Sequence, residues 1–284
     1  MRLKIILFLP PVLLVACIVV VLVNTSGFKK KVGADVVALL ANSRPADTSV
    51  VTEADLVKFP SPIQRYLKYS GVVGKPRVNS VRLRQKGFFR SKPDQSWMPF
   101  EAEQYYTVNP PGFVWFARMK AFPLVTIQVR DMYAGGKGNM LGQMMGTITV
   151  VEASDSKELN QGAMVRFLSE MIWFPTAWLS DYLSWEEIDS SSARVTMQYG
   201  GVSASAILHI NEVGEYVNLE ASRYMTSGDI RSFERWSTPT MGYGEFHGLR
   251  IPARGQAVWN LKSGDFPYIQ VEVESVQYDR LLFY

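Results

Sequence analysis

Cysteine and histidine are nearly missing from this chain. Its 284 residues include one Cys and two His, which rules out an internal disulfide and leaves no Cys/His set with the spacing of a zinc site. No internal repeat or low-complexity tract interrupts the sequence. Nucleophile and phosphate-loop motifs are also lacking. GGKGNM at 135–140 has the glycines of a phosphate loop but neither the Lys-Ser/Thr pair nor a following helix, and it reads as a hairpin loop. His209 alternates with Leu208 and Ile210 on the polar face of a strand, and His247 sits in the turn GEFHGLRIP. Neither accompanies a G-x-S-x-G motif, so both read as structural or solvent-exposed. No catalytic residue, metal site or cofactor is implied. The charge excess is also small, a formal +4, too little for a nucleic-acid surface.

One stretch lacks charge altogether. Ile5 to Val23 carries none, while Arg2 and Lys4 precede it and Lys29, Lys30 and Lys31 follow. At about 1.5 Å per residue the run spans roughly 28 Å, close to the hydrocarbon core of a bilayer. It reads as a membrane helix in which Pro10 and Pro11 would cause a kink or break near Leu9. Within it Leu14-Val15-Ala16-Cys17 resembles the lipobox of bacterial lipoproteins, whose cysteine is acylated and becomes the new amino terminus. That alternative leaves Ile18 to Val23 unexplained, because mature lipoproteins usually continue into a polar tether. Positive charge flanks both ends, so the positive-inside rule nearly cancels. The β-rich, polar-turn region C-terminal to the apolar run resembles envelope proteins. That resemblance favours a single pass of the inner (cytoplasmic) membrane, with the large domain outside.

Residues 33–69 read as helical and peripheral. Thr52 with Asp55 forms a relative of the capping box, and PIQRYLKYSG reads as a short helix from Pro62 closed by Gly71. From Lys75 the apolar period becomes two. Val81, Leu83, Gly87 and Phe89 face one way, and Arg82, Arg84, Lys86 and Arg90 the other. Further strands are expected at 100–108, 112–119, 124–133 and 143–151. FVWFARM, apolar on both faces, should be buried on both sides. KELNQGAMVRFLSEMIWF at 157–174 is a helix with one broad apolar face, followed from Pro175 by a second helical stretch, PTAWLSDYL. Arg166 and Glu170 are expected to pair on its flank. Period two returns at 194–199, 203–211 and 216–225, with a polar loop at 226–232 and strands to the end. The pairs Glu101/Glu103 and Glu186/Glu187 and the basic face at 82–90 read as solvated strand faces.

The expected architecture is mainly β (α+β). A curved antiparallel sheet or half-barrel of about ten strands, covered by helices, comes after an N-terminal membrane helix. The divisions are an anchor and flank at 1–31, a helical lead-in at 32–74 and a β-rich domain at 75–284 with a helical insertion at about 157–183. The hairpin around Gly248, aromatic residues and then Gly-Leu-x-Ile-Pro, resembles the final hairpins of the LolA-like lipoprotein-carrier half-barrels. That likeness implies a curved sheet covered by helices over an apolar cavity. FPSPIQRYL, RFLSEMIWFPTAWL and STPTMGYGEFHGLRIPARG are similar to stretches of a family of uncharacterised bacterial membrane-associated proteins, from about residue 60 to 280. The functional expectation is a lipid or other hydrophobic ligand in a cavity lined by Trp115, Met144, Met164, Phe167, Leu168 and Met171. Two other classes fit the same sequence: a protein-binding scaffold or sensor without a cavity, and an enzyme with clustered carboxylates in a cleft.

Overall fold

The computed structural model describes residues 3–44, 49–227 and 230–280. Arg2, and the Gly228-Asp229 tip of the loop expected at 226–232, lie outside them. Helix α1 (Leu3–Ala41) is unbroken through Pro10 and Pro11, where a kink or break is expected. It also crosses the expected division at residue 31. Its first part is long and apolar enough to cross a membrane, and Leu13 to Val23 touch almost nothing. From Asn24 the helix gains contacts. Phe28, Val32, Val36, Leu39 and Leu40 are buried against the outer face of the sheet.

Helix α2 (Glu53–Leu56) is a single turn with a complete capping box: the Thr52 hydroxyl accepts from the Asp55 N–H, and Asp55 accepts from the Thr52 N–H at 2.8 Å. Helix α3 (Ser61–Ser70) ends at Gly71 in the left-handed conformation, as its sequence predicts. It is not peripheral. Ile63, Tyr66 and Leu67 are fully buried, and Tyr66 packs 4.7 Å from Trp178.

Among the described residues fourteen strands complete the chain. The first six are β1 (Ser80–Phe89), β2 (Met98–Thr107), β3 (Gly112–Phe122), β4 (Val125–Ala134), β5 (Lys137–Met144) and β6 (Ile148–Ser154). Helix α4 (Lys157–Glu170) and two 3-10 turns (Met171–Trp173, Pro175–Leu179) separate them from the rest. These are β7 (Leu183–Asp189), β8 (Ser192–Tyr199), β9 (Val202–Ile210), β10 (Tyr216–Ser227), β11 (Ile230–Ser237), β12 (Thr240–Phe246), β13 (Leu249–Leu261) and β14 (Gly264–Tyr278). All pair antiparallel in the order β6-β5-β4-β3-β2-β1-β14-β13-β11-β10-β9-β8-β7, with β12 beside β13. The pairing of β1 with β14 joins the two halves of the chain.

The sheet curls into a half-barrel, and two glycine pairs hold its ends close. Gly135-Gly136 and Gly200-Gly201 are two-residue hairpin turns with positive φ throughout, the conformation that favours Gly-Gly. The turns also meet: a Cβ on Gly136 would lie 2.9 Å from the Gly200 Cα.

Four differences from the expected strands have local causes. The run 143–151 is two strands, because Met145 and Gly146 both take positive φ and reverse the chain. β7 lies at the sheet edge with an almost wholly exposed outer half, so its alternation is weak. The polar stretch 226–232 is mostly strand, since β10 and β11 pair up to Ser227–Ile230. The strand count exceeds ten for these same reasons and through β12. FVWFARM is buried on both sides as expected. Val114 and Phe116 face α1, while Phe113 and Trp115 face the interior.

Helix α4 starts at Ser156, whose hydroxyl accepts from the Leu159 N–H at 3.2 Å. Rather than covering the sheet with one face, it lies inside the curl, in contact with β4 and β5 on one side and β9 and β10 on the other. That enclosure explains why the charged Arg166 and Glu170 near its end are largely buried along with its apolar residues.

A candidate binding cavity beside helix α4

Not all of the interior is filled. A cavity of about 690 Å³ lies between the inner face of the sheet, the end of α4 and the first 3-10 turn. Alternation along the strands supplies its walls. Trp115 and Met119 of β3, Ile127 and Val129 of β4, Met140 and Met144 of β5, and Trp259, Ile269 and Val271 of the last two strands all point inward. Ile172 and Trp173 close one side. The Trp173 indole donates to the Pro252 carbonyl at 3.0 Å, which ties the 3-10 turn to β13.

Three arginines, Arg166, Arg223 and Arg254, interrupt the apolar lining. The Arg166 guanidinium packs 4.9 Å from the Phe113 ring and 4.8 Å from that of Trp115. It donates to Asp131 at 2.6 Å and to Glu170 at 2.9 Å. The three side chains are 17%, 6% and 13% exposed. The other Glu170 oxygen accepts from Gln104 at 2.8 Å and from the Tyr106 hydroxyl at 2.9 Å. Burial pushes the Glu170 carboxyl above its ordinary value, against the opposing pull of Arg166, Tyr106 and Gln104. Burial disfavours the charged guanidinium too, but Glu170 and Asp131 more than offset this and hold the Arg166 pKa above its usual value. Burial, and then the neighbouring Glu170 charge, raise the Tyr106 hydroxyl well above the ordinary range. The network is therefore a fixed, fully ionic floor when Glu170 is ionised.

Arg223 enters from β10. Its guanidinium stacks 4.9 Å from Trp236 and 5.5 Å from Trp259 and donates to the Tyr268 hydroxyl at 3.5 Å. Its Nε is buried without a partner among the described residues. Glu234 stands opposite it across the β10–β11 ladder without closing to salt-bridge distance.

Of the residues expected to line a cavity, Trp115 and Met144 lie on its wall. Met164, Phe167, Leu168 and Met171 do not. They are buried in the packed core, where Phe167 sits within 6.4 Å of Tyr106, Tyr133 and Phe174. Arg166 and Glu170 pair as expected on the helix flank, and that flank forms the cavity floor. Sequence reading missed Asp131, Arg223, Trp173, Trp259 and Tyr268 as lining residues. Two of the three family-like stretches supply wall residues: RFLSEMIWFPTAWL through Arg166, Glu170 and Trp173, and STPTMGYGEFHGLRIPARG through Thr238 and Pro252. This was a usable signal.

The remaining polar candidates lie outside the cavity lining and contact other groups of the fold. Glu101 pairs with Arg118 and Glu186 with Arg194, while Glu187 accepts from the Ser61 backbone at the start of α3. Lys86 on the basic strand face is neutralised by Glu272 and Glu274. His209 lies 3.4 Å from Glu220, and the His247 ring hydrogen-bonds the Val276 carbonyl.

The chain belongs to a family of unknown function (DUF6544), which matches residues 49–271. No curated protein matches it. Two solved structures are similar. One is the LolA superfamily protein NE2245 of Nitrosomonas europaea, at 13% identity and a TM-score of 0.42, over 84% of this chain and 96% of that one. The other is a DUF1329 family protein of Desulfovibrio piger, at 7% identity and a TM-score of 0.38, over 83% and 96%. Likenesses of this degree carry no argument about function.

Proposed function

We propose that this protein is anchored to the inner membrane by the first part of α1 and binds a lipid or similar hydrophobic ligand in the cavity beside α4, on the outer side of that membrane. The observation that carries the reading is the cavity itself. Its volume falls in the range of small-molecule sites, and it combines apolar walls with a few fixed polar groups. Methionines at 119, 140 and 144 suit a wall that adapts to varied chains. An uncleaved helix, rather than acylation at Cys17, is supported by α1 itself: the helix continues past Cys17 with no polar tether.

The carboxylates Asp131 and Glu170 give an enzymatic reading one specific point in its favour, a cleft carboxyl with a raised pKa. Against it, Arg166, Gln104 and Tyr106 hold both Glu170 oxygens in hydrogen bonds that fix the carboxyl in place.

The test is equilibrium binding of a fluorescent fatty-acid probe to the full chain, freed of detergent in an amphipathic polymer. Ala257→Trp, which adds bulk to the cavity wall, should weaken binding by about tenfold or more with little change in melting temperature. Binding that is absent, or indifferent to Ala257→Trp and to Met144→Trp, contradicts the reading.

A further inference from the structure

The β3–β4 and β5–β6 turns carry apolar residues where turns are ordinarily polar. Leu124 is 93% exposed and Phe122 72%, and Ile148 and Val150 on β6 are also exposed. Leu124 comes after Pro123 with φ +68°, a turn position where glycine is the usual occupant. An almost fully exposed leucine in that conformation brings no packing to offset its strain.

The two turns adjoin, since the Met145 N–H donates to the Thr126 carbonyl. They also meet α1 where its apolar run gives way to polar residues. The Asn24 side chain donates to the Thr147 hydroxyl at 3.3 Å, and a Cβ on Gly146 would lie 2.6 Å from the Thr25 nitrogen. Immediately before Asn24 the helix is apolar and bare. Shortly after it come the exposed Lys29, Lys30 and Lys31. The apolar turns are therefore held at the level where α1, read as a membrane helix, leaves the bilayer. Phe122 and Val150 belong both to this lip and to the cavity lining.

We infer that the lip formed by Phe122, Leu124, Ile148 and Val150 rests in the surface of the bilayer that α1 enters, and that the cavity opens there and loads directly from the membrane. The inference rests on the proposed anchor and cavity. It supplies the source of the ligand, a lipid already in the bilayer, and a reason for the strained leucine. Apolar side chains at this depth gain burial, and the lysines of α1 fall at the headgroup level, where an anionic surface attracts them.

The test uses the full chain with Cys17→Ser, a change that should leave membrane attachment intact on the helix-anchor reading. Leu124→Cys and, as a control, Val50→Cys are labelled with an environment-sensitive fluorophore. Val50 is exposed and follows the far end of α1 in sequence, an end that lies about 25 Å from Asn24 at the rise of an α-helix. In vesicles of phosphatidylcholine with one quarter phosphatidylglycerol, a nitroxide lipid should quench the label at 124 and spare the one at 50. Equal, weak quenching at both positions overturns the inference.

A second variant separates the lip from the cavity. Leu124→Gly removes the side chain and relieves the backbone. Its melting temperature should equal or exceed that of the wild type, while uptake of a fluorescent phospholipid from the same vesicles becomes about tenfold slower. Its affinity for a water-soluble short-chain lipid should not change. Uptake at the wild-type rate overturns loading through the lip. Loss of short-chain binding in the wild type instead brings down the cavity reading, while quenching at 124 would still establish the membrane contact.

Discussion

Arg166 is the residue on which the interior turns. It stands between two aromatic rings and two carboxylates, so removing it strands both charges in a low-dielectric site. Arg166→Ala should cost about 3–5 kcal/mol in denaturant unfolding. The triple change Asp131→Asn, Arg166→Met, Glu170→Gln removes the charges together and should return to within about 1 kcal/mol of the wild type. A loss of only a few tenths for Arg166→Ala would put the pair back on a solvated surface.

Glu170 adds a pH dependence of unusual sign. Folding raises its pKa above the ordinary 4.5, so the folded state favours its neutral form. Its contribution is fully present below the ordinary value and is lost as pH rises through the folded value. The stability of the wild type relative to Glu170→Gln should therefore fall as pH rises from the ordinary carboxyl value through the raised folded one. A difference that grows with pH contradicts the dominance of burial. None of this was legible locally, because Arg166 and Glu170 at i, i+4 look like any helix-surface pair. Asp131, which gives the pair its buried character, comes from a strand far away in sequence.

At the scale of elements, the sequence was most readable where one face meets water. The alternation of β1, the Gly135-Gly136 hairpin, the Thr52 cap and the Gly71 cap all arise from side-chain pattern or backbone demand. It was least readable where a turn uses an unlikely residue, as at Met145, or where a helix is enclosed. The apolar face of α4 marks burial but not which side meets empty space, and this is why four of the six expected lining residues proved to be core.

The second part of helix α1 covers the sheet, a contact that its apolar first part conceals. Asp35 binds the buried Arg130 at 2.7 Å, and Phe28, Val32 and Val36 cover Tyr105, Val114 and Phe116. A chain starting at Asn24 keeps this cover and should fold cooperatively without detergent. One starting at Asn42 uncovers an apolar sheet face and leaves Arg130 unpaired with Asp35. It should lose several kcal/mol of stability, on the order of 2 kcal/mol for each large apolar side chain uncovered, or aggregate. Equal stability of the two truncations, by urea unfolding, would show that the docking of α1 on the sheet contributes nothing.

At the scale of the molecule, the curl brings together what neither half of the chain holds alone. β3 to β5 supply one wall of the cavity, β13 and β14 another, and α4 with its 3-10 turn the floor. A packed core would have used the same apolar alternation, so the sequence could suggest an interior surface but not a space within it. The most direct measurement of the central claim is photo-crosslinking of the full chain in vesicles with a diazirine-bearing fatty acid, followed by peptide mapping. Adducts on inward-facing cavity residues such as Trp115, Met140, Met144 and Ile269, reduced by Ala257→Trp, are the predicted result. Adducts confined to residues 13–23 of α1, with none inside the curl, would contradict it.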